Sequence, residues 1–402
     1  MTVVGSETLA ISNALIFDGM SPDLREGSIT IAGGRITGVG DVKSAGRQID
    51  ARGGVVMPGL IDAHFHAYAI SLKSVENETG PLSYSALAGA RRLSAALRRG
   101  FTTVRDVAGG DIGLATAIER GLCEGPRYLF TGPALSQTGG HGDIRAAHDG
   151  SCFHGGHMCE IVDGAADLLL AVRRRFRTGS HAIKLMTSGG VISPTDPIRI
   201  PQYSATEIRT VTEEAFRRGS YVTAHAYSPE AIRHSIVNGV RSIEHGNLID
   251  KEVAELMAEH EAYLVPTLVT YDAMNRRGQE IGLTSIGAAK NREVLEAGKL
   301  AVELARTAGV RIGFGSDLMG DLENEQLEGL RLQSEVIGIF ETLRSATSVN
   351  AMLLQRDDLG RITVNASADL VILSGNPFDD PAVLWDPERK RTVVAAGQIV
   401  GG

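Results

Sequence analysis

The middle of the chain repeats one unit, a short β-branched run ending in polar residues or glycine and followed by an amphipathic stretch. The runs are PGLIDAHFH (58–66), FTTVRDV (101–107), RYLFTG (127–132), AIKLMTS (182–188), YVTAHAY (221–227), SIEHG (242–246), AYLVPTL (262–268) and RIGFGSD (311–317). Between them, stretches such as LSYSALAGARRLSAALRRG, GAADLLLAVRRRFRTG and SATEIRTVTEEAFRRG place apolar residues at three- and four-residue spacing and end in glycine, as helices do. The triplet Arg173-Arg174-Arg175 reads as the solvated face of one of them. Repeated strand-helix units demand parallel strands with right-handed crossovers, and about eight of them close into a ring. The fold class expected is therefore α/β, a (β/α)8 TIM barrel over 58–358.

The two ends read differently. LAISNALIFDG, GSITIAGGRITGVGD and QIDARGGVVMPG alternate as short strands broken by turns, and ADLVILSG (368–375), RTVVAAG (391–397) and QIVGG (398–402) do the same. A small β-sandwich built by residues 1–57 and 359–402 together is expected, and 402 residues suffice for it and a barrel.

Forty Lys and Arg against 48 Asp and Glu give a net charge of −8 with no basic block, which excludes a polyanionic partner such as nucleic acid. Small molecules are the expected partners. Cys123, Cys152 and Cys159 are too few for a disulfide framework, so a reducing, cytoplasmic setting is expected. No cationic leader precedes an apolar run, and no stretch approaches about 18 apolar residues, so neither export nor membrane insertion is expected. A chain whose signal had been removed reads the same way.

In a barrel of this kind the active site gathers at the C-terminal ends of the strands. The proposed strands end alike: His64 and His66 on the first, His225 on the fifth, His245 on the sixth and Asp317 on the eighth, with Lys184 on the fourth. His64-Phe65-His66 puts both imidazoles on one face, because side chains alternate with period two. Imidazole and carboxylate are preferred ligands of divalent ions, so the set points to a metal site. Lys184 is the odd member: an ammonium repels a cation, so it serves structure or is converted to an anionic carbamate able to bridge two metals.

PGLIDAHFH, HAIKLMTSGG, VTAHAY, SIEHGNLID and GFGSD resemble the signature segments of the amidohydrolase superfamily, in its binuclear subtype with a carboxylated lysine. LSQTGGHGD (135–143), SGGVISPTDP (188–197) and VPTLVTYDA (265–273) are similar to prolidase-like Xaa-Pro dipeptidases and to bacterial amidohydrolases that hydrolyse ochratoxin A. The resemblance implies two divalent ions, zinc first, with His64, His66 and Asp317 on one, His225 and His245 on the other, and a CO2-derived carbamate of Lys184 and a hydroxide between them. It implies Asp317 as the proton carrier, and His141 and Tyr227 as hydrogen-bonding partners of the scissile carbonyl or tetrahedral intermediate. Arg199 is a candidate for a substrate carboxylate and Tyr271 for the pocket lining. Relatives of this kind form homo-oligomers, up to octamers.

The activity implied is hydrolysis of an amide bond to a C-terminal amino acid. Two alternatives stay open: a cyclic amidohydrolase or deaminase of the imidazolonepropionase type, which an unmodified, distant Lys184 would favour, and a non-catalytic scaffold, which absence of metal uptake would favour. Cys152-Phe-His154-Gly-Gly-His157-Met-Cys159 offers thiols and imidazoles at a spacing unlike the usual zinc knuckles, and a lid over the pocket is the preferred reading. In TVNASAD, Asn365 stands where the family pattern has glycine, a residue type that tolerates positive φ.

Overall fold

The computed structural model describes residues 8–41, 46–146, 148–149, 155–193 and 195–401. The chain opens with β1 (Leu9–Ile16), β2 (Arg25–Ala32), β3 (Arg35–Gly40), β4 (Arg47–Asp50) and β5 (Val55–Pro58). Its centre carries β6 (Leu60–Phe65), β7 (Phe101–Asp106), β8 (Arg127–Phe130), β9 (Ala134–Ser136), β10 (Cys159–Ile161), β11 (Ile183–Met186), β12 (Val222–Ala226), β13 (Ser242–His245), β14 (Tyr263–Val265) and β15 (Arg311–Ile312). It closes with β16 (Leu370–Leu373), β17 (Arg391–Ala395) and β18 (Gln398–Ile399).

Both chain ends enter one eight-stranded sheet, ordered β18-β17-β16-β5-β1-β2-β3 with β4 beside β1. The join is the antiparallel pair β16–β5, in which Val371 faces Met57. Between β2 and β3, Gly33 and Gly34 have φ of 58° and 75°, the doubly left-handed turn that matches the twist of a two-residue hairpin. Alternation along β5 and β16 then serves two cores. Val56, Leu370 and Ile372 join Ile11, Ile29, Ile31 and Ile36, while Val55, Met57, Val371 and Leu373 join Leu60 and Phe101 in the main core.

The central strands are parallel and fall into a seven-stranded sheet, β10-β9-β11-β12-β13-β14-β15, and a three-stranded one, β6-β7-β8. The strand ladders therefore do not form the unbroken ring expected from the repeat. Isolated backbone bonds cross the gaps: His181 N–H donates to Phe130 O at 2.7 Å, Ala63 N–H to Phe314 O at 2.9 Å, and Asp317 N–H to His64 O at 2.8 Å. The buried Asn350 side chain clips the second gap, donating to Ile61 O at 2.7 Å and Phe314 O at 2.8 Å. This explains why the expected eighth strand shrinks to Arg311–Ile312. Gly313 lies where a Cβ would come within 2.4 Å of Asn350 Oδ1, and the backbone beyond it is satisfied by Asn350 and β6 rather than by a continuous ladder. After the third expected strand, the short β9 and β10 are additions that no alternation pattern announced.

Helices cover these strands and begin at side-chain caps. Ser204 and Glu207 exchange hydrogen bonds at the start of Ala205–Arg217, a capping box, and Asp250 and Thr284 cap Lys251–Glu259 and Ser285–Ala308. Ile208, Val211 and Ala215 then fall on the buried face of the first. In Ala165–Arg177 the expected solvated face holds for the exposed Arg173 and Arg174 but not for Arg175. Arg173 pairs with Glu214 at 3.1 Å and Arg174 with Glu160 at 2.7 Å. Arg175 is buried, pairing with Glu160 at 2.6 Å and donating to Pro133 O at 3.0 Å, because its position shares the helix face of Leu168 and Val172. No described helix is long and apolar enough to cross a membrane.

Asn365 has φ of 73°, as its place in the closing segment led one to expect, and its N–H donates to Ile36 O at 2.8 Å, docking that segment on β3. Asn365→Ala is expected to cost about 1 kcal/mol in unfolding free energy while Asn365→Gly leaves it nearly unchanged, since only the former meets the left-handed penalty. Chemical denaturation of the two variants measures this.

Candidate metal centre and active site

The C-terminal ends of the strands meet at one buried point. His64 and His66 leave β6 with ring centroids 5.1 Å apart, and His245 at the end of β13 lies 4.9 Å from His64 and 4.6 Å from His225 of β12. Asp317 reaches in from the segment after β15: Oδ1 is 3.0 Å from His66 Nε2 and 3.4 Å from His64 Nε2, and Oδ2 is 3.8 Å from His245 Nδ1. Donor atoms of His64, His245 and Asp317 all lie within 4.8 Å of one another, so this buried group could hold a divalent ion. Lys184 on β11, His141, Tyr227 and Tyr271 line the same cavity. Arg199 does not. Its exposed guanidinium pairs with Glu293 at 2.6 Å, because the loop that carries it turns the side chain toward the helix Ser285–Ala308.

Buried hydrogen bonds fix which ring atoms face inward. Glu244 Oε2 is 2.6 Å from His64 Nδ1, leaving Nε2 for the centre, and Gly189 O is 3.1 Å from His225 Nε2, leaving Nδ1. Glu244 is itself held by Arg105 at 2.8 Å, Ser242 at 2.7 Å and the Thr223 hydroxyl, all buried. Burial pushes its carboxyl up, but the charge of Arg105 and the bond to His64 outweigh this and hold it well below the carboxylate range. For Asp317, burial is likewise outweighed by His64, His66 and His245. Burial and neighbouring cationic groups drive His225 well down. His245 also falls well below its usual range, because burial outweighs the pull of Asp317. Both therefore present neutral imidazoles.

A divalent ion fits this donor set. Among the described residues His66 Nδ1 is buried without a hydrogen-bond partner, and imidazoles ring a carboxylate that no hydroxyl or amide side chain satisfies. Lys184, 2% exposed, makes no hydrogen bond or ion pair with a described residue. Burial lowers its amine to about 8 against the opposing pull of Glu244 and Asp317. Such unmet groups are costly unless a ligand completes them.

The backbone is strained at the same place. His245, Thr267 and Asp317 have φ of 75°, 45° and 52°, conformations that cost of order 1–3 kcal/mol each and are worst for a β-branched residue. Tertiary bonds compensate: Asp62 accepts from Ser316 Oγ at 2.5 Å, Gln326 at 2.7 Å and His64 N–H at 3.0 Å, tying the segments that carry His64 and Asp317 to one carboxylate. Thr267 Oγ1 and Tyr271 OH lie 2.9 and 2.8 Å from His245 Nδ1, and Tyr227 OH is 2.9 Å from Tyr271 OH.

His141 is placed by the loop after β11. Its ring stacks on His225 with centroids 4.2 Å apart, and its Nδ1 is 2.8 Å from Ser193 Oγ. A Cβ on Gly190 would fall 2.0 Å from the ring, so only glycine permits this packing. From the helix Ser285–Ala308, the Lys290 ammonium gathers the loop by donating to Gly190 O and Ser193 O at 2.9 Å and to Asp196 O at 2.8 Å. Despite burial, His141, Ser193 and Lys290 together hold Asp196 down at about 2.

Several of these residues went unread in the sequence. Glu244, Arg105 and Asp62 carried a signal, each being a charge inside a short strand-forming run. Lys290 and Thr267 carried none, since one sits on a polar helix face and the other acts through an unusual dihedral. Of the cysteine-bearing loop, Cys152 and His154 lie outside the described residues. His157 Nε2 is 3.0 Å from Gly80 O, and Cys159 is buried in the cavity wall.

The chain belongs to the amidohydrolase family, whose model matches residues 55–400, and is thus a hydrolase acting on C–N bonds. It is 32% identical over 367 residues to ochratoxinase of Aspergillus niger, covering 87% of this chain and 76% of that protein. A crystal structure of a prolidase complexed with N-methylphosphonate-L-proline superposes with a TM-score of 0.95 at 43% identity, over 98% of this chain and 99% of that one. A Xaa-Pro dipeptidase with bound methionine gives 0.87 at 28% identity, over 98% and 100%.

Arg105→Met strands Glu244 as an unpaired buried charge, and a loss of about 3–5 kcal/mol is expected in denaturant unfolding. Lys290→Met releases the loop, and faster amide hydrogen exchange across 188–197 is expected with the global unfolding midpoint nearly kept.

Proposed function

We propose that this protein hydrolyses the amide bond to a C-terminal amino acid, in an Xaa-Pro dipeptide, an N-acyl amino acid or an ochratoxin A-type substrate. The observation that carries this reading is the convergence of His64, His66, His225, His245 and Asp317 on one cavity with the buried Lys184, which pairs with no described residue. The names of its relatives, an ochratoxinase and prolidases, support the substrate class. His64, His66 and Asp317 would hold one divalent ion and His225 and His245 a second, zinc being the expected metal. Addition of CO2 to the Lys184 amine would replace the repelling ammonium with an anionic carbamate shared by both. The same reading takes the two parallel sheets as arcs of one (β/α)8 barrel over 58–358 and the terminal strands, 1–57 with 359–402, as a β-sandwich. The backbone bonds across both gaps support it.

Metal ions bound there would lower the pKa of water and polarise the amide carbonyl. The chain's own residues do the rest. Asp317, anchored through its N–H on His64 O, takes up the proton released on attack and returns it to the departing nitrogen, so that the amine leaves neutral. Tyr227 keeps its hydroxyl proton, since burial raises its pKa, and donates to the carbonyl oxygen. His141, with Nδ1 taken up by Ser193, offers Nε2 to the same oxygen. Tyr271 orients Tyr227, and Val191, Met186 and Met319 keep the surrounding wall apolar. Arg199 takes no part in this scheme.

Screening Xaa-Pro, Xaa-Phe and N-acyl amino acids on the metal-loaded protein tests the reaction. Asp317→Asn is expected to reduce turnover at least about a hundredfold. Lys184→Ala is expected to lose metal by elemental analysis as well as turnover, and full metal occupancy in that variant would refute the shared lysine ligand.

A further inference from the structure

One polar group in the cavity wall has no part in this scheme. Glu78, on the short helix Ser74–Thr79, is 5% exposed and is the one carboxylate besides Asp317 among the described residues lining the cavity. Its partners are uncharged: Oε2 accepts from Met158 N–H at 2.9 Å and Cys159 N–H at 3.4 Å, and the Cys159 thiol also bonds it. Among the described residues no lysine, arginine or histidine side chain pairs with it. Its neighbour Asn77 is spent on Ser71, donating to its carbonyl at 2.7 Å and accepting from its N–H at 3.0 Å. A carboxylate so placed is costly unless a cation reaches it.

Its position relative to the centre follows from Cys159. That thiol hydrogen-bonds Glu78 and also interacts electrostatically with Lys184, and it packs where a Cβ on Gly142, next to His141, would come within 2.9 Å of its sulfur. Cys159 therefore links Glu78 to the field of Lys184 and to the backbone beside His141, and Ala108, Met158 and Met319 line the same cavity.

We propose that Glu78 is the anionic subsite that receives the free α-ammonium of a dipeptide, selecting dipeptides over N-acyl amino acids. The inference rests on the amide-hydrolase reading above and narrows its substrate class. In a dipeptide the ammonium is separated from the scissile carbonyl by a single carbon, so a carboxylate close beside the centre is where its counter-charge must be. Burial raises the Glu78 carboxyl to about 7, a cost that an adjacent ammonium relieves. An N-acyl group or an aromatic acid brings no such charge and leaves the cost in place.

The test compares L-alanyl-L-proline with N-propionyl-L-proline, which differ by replacement of the ammonium with hydrogen, and the corresponding pair ending in phenylalanine. For wild type, kcat/KM is expected to favour the ammonium-bearing member by at least about tenfold, the size of a charge-assisted hydrogen bond. Glu78→Gln retains an oxygen for the Met158 and Cys159 amides but not the charge, and the ratio is expected to fall to within about threefold. If Glu78 only holds the loop, both members decline together and the ratio survives, which overturns the proposal. A wild-type enzyme that turns over both members without preference overturns it as well, whether or not the variant folds. Failure of wild type to cleave any of the four compounds would instead refute the amide-hydrolase reading itself.

Discussion

The interior is arranged around one buried carboxylate. Glu244 has no access to solvent, and such a charge survives only if its surroundings supply full compensation. Arg105 from β7, Thr223 from β12, Ser242 from its own strand and His64 from β6 provide it. Because those donors come from different strands, satisfying Glu244 fixes their relative positions. The bond to His64 Nδ1 also settles which nitrogen is turned toward Asp317 and His245. Structural and chemical requirements thus meet in one charge, beneath the layer where the histidines and Asp317 converge.

Above it, order is obtained against local preference. His245, Thr267 and Asp317 adopt left-handed dihedrals that their side chains disfavour, and His66 keeps a ring nitrogen without a partner among the described residues. Asp62 offsets part of this by bonding both the β6 end and Ser316, and Lys290 draws three loop carbonyls inward to set His141 on His225. The site is therefore held mainly from outside: from a carboxylate on β6, a lysine on a distant helix and an asparagine that spans a gap between sheets. Glu78 lines the same cavity, and among the described residues no cationic side chain pairs with it.

Much of this was legible in the linear order. The alternating repeat announced parallel strands and covering helices, and His-x-His, with the histidines of VTAHAY and SIEHG and the aspartate of GFGSD, announced the convergent set, because period-two alternation and strand ends are local properties. Asn365 could be read as a left-handed residue for the same reason. Within the arginine triplet Arg175 misled, since a helix face is polar or buried according to what packs on it, and Glu160 and Pro133 belong to other segments. Arg199 misled similarly: its charge was evident, its direction was not.

What the sequence alone determined is the kind of element at each position and the residue types offered at the strand ends, since hydrophobic period, caps and turn residues act within a few residues. Only the tertiary structure decided where the strand ladders stop, which of two imidazole nitrogens faces inward, and which of the unused charges lines the cavity. Those outcomes depend on Asn350, Glu244 and Lys290 reaching partners far along the chain. The energy of a buried polar group is set by whichever neighbours surround it in space.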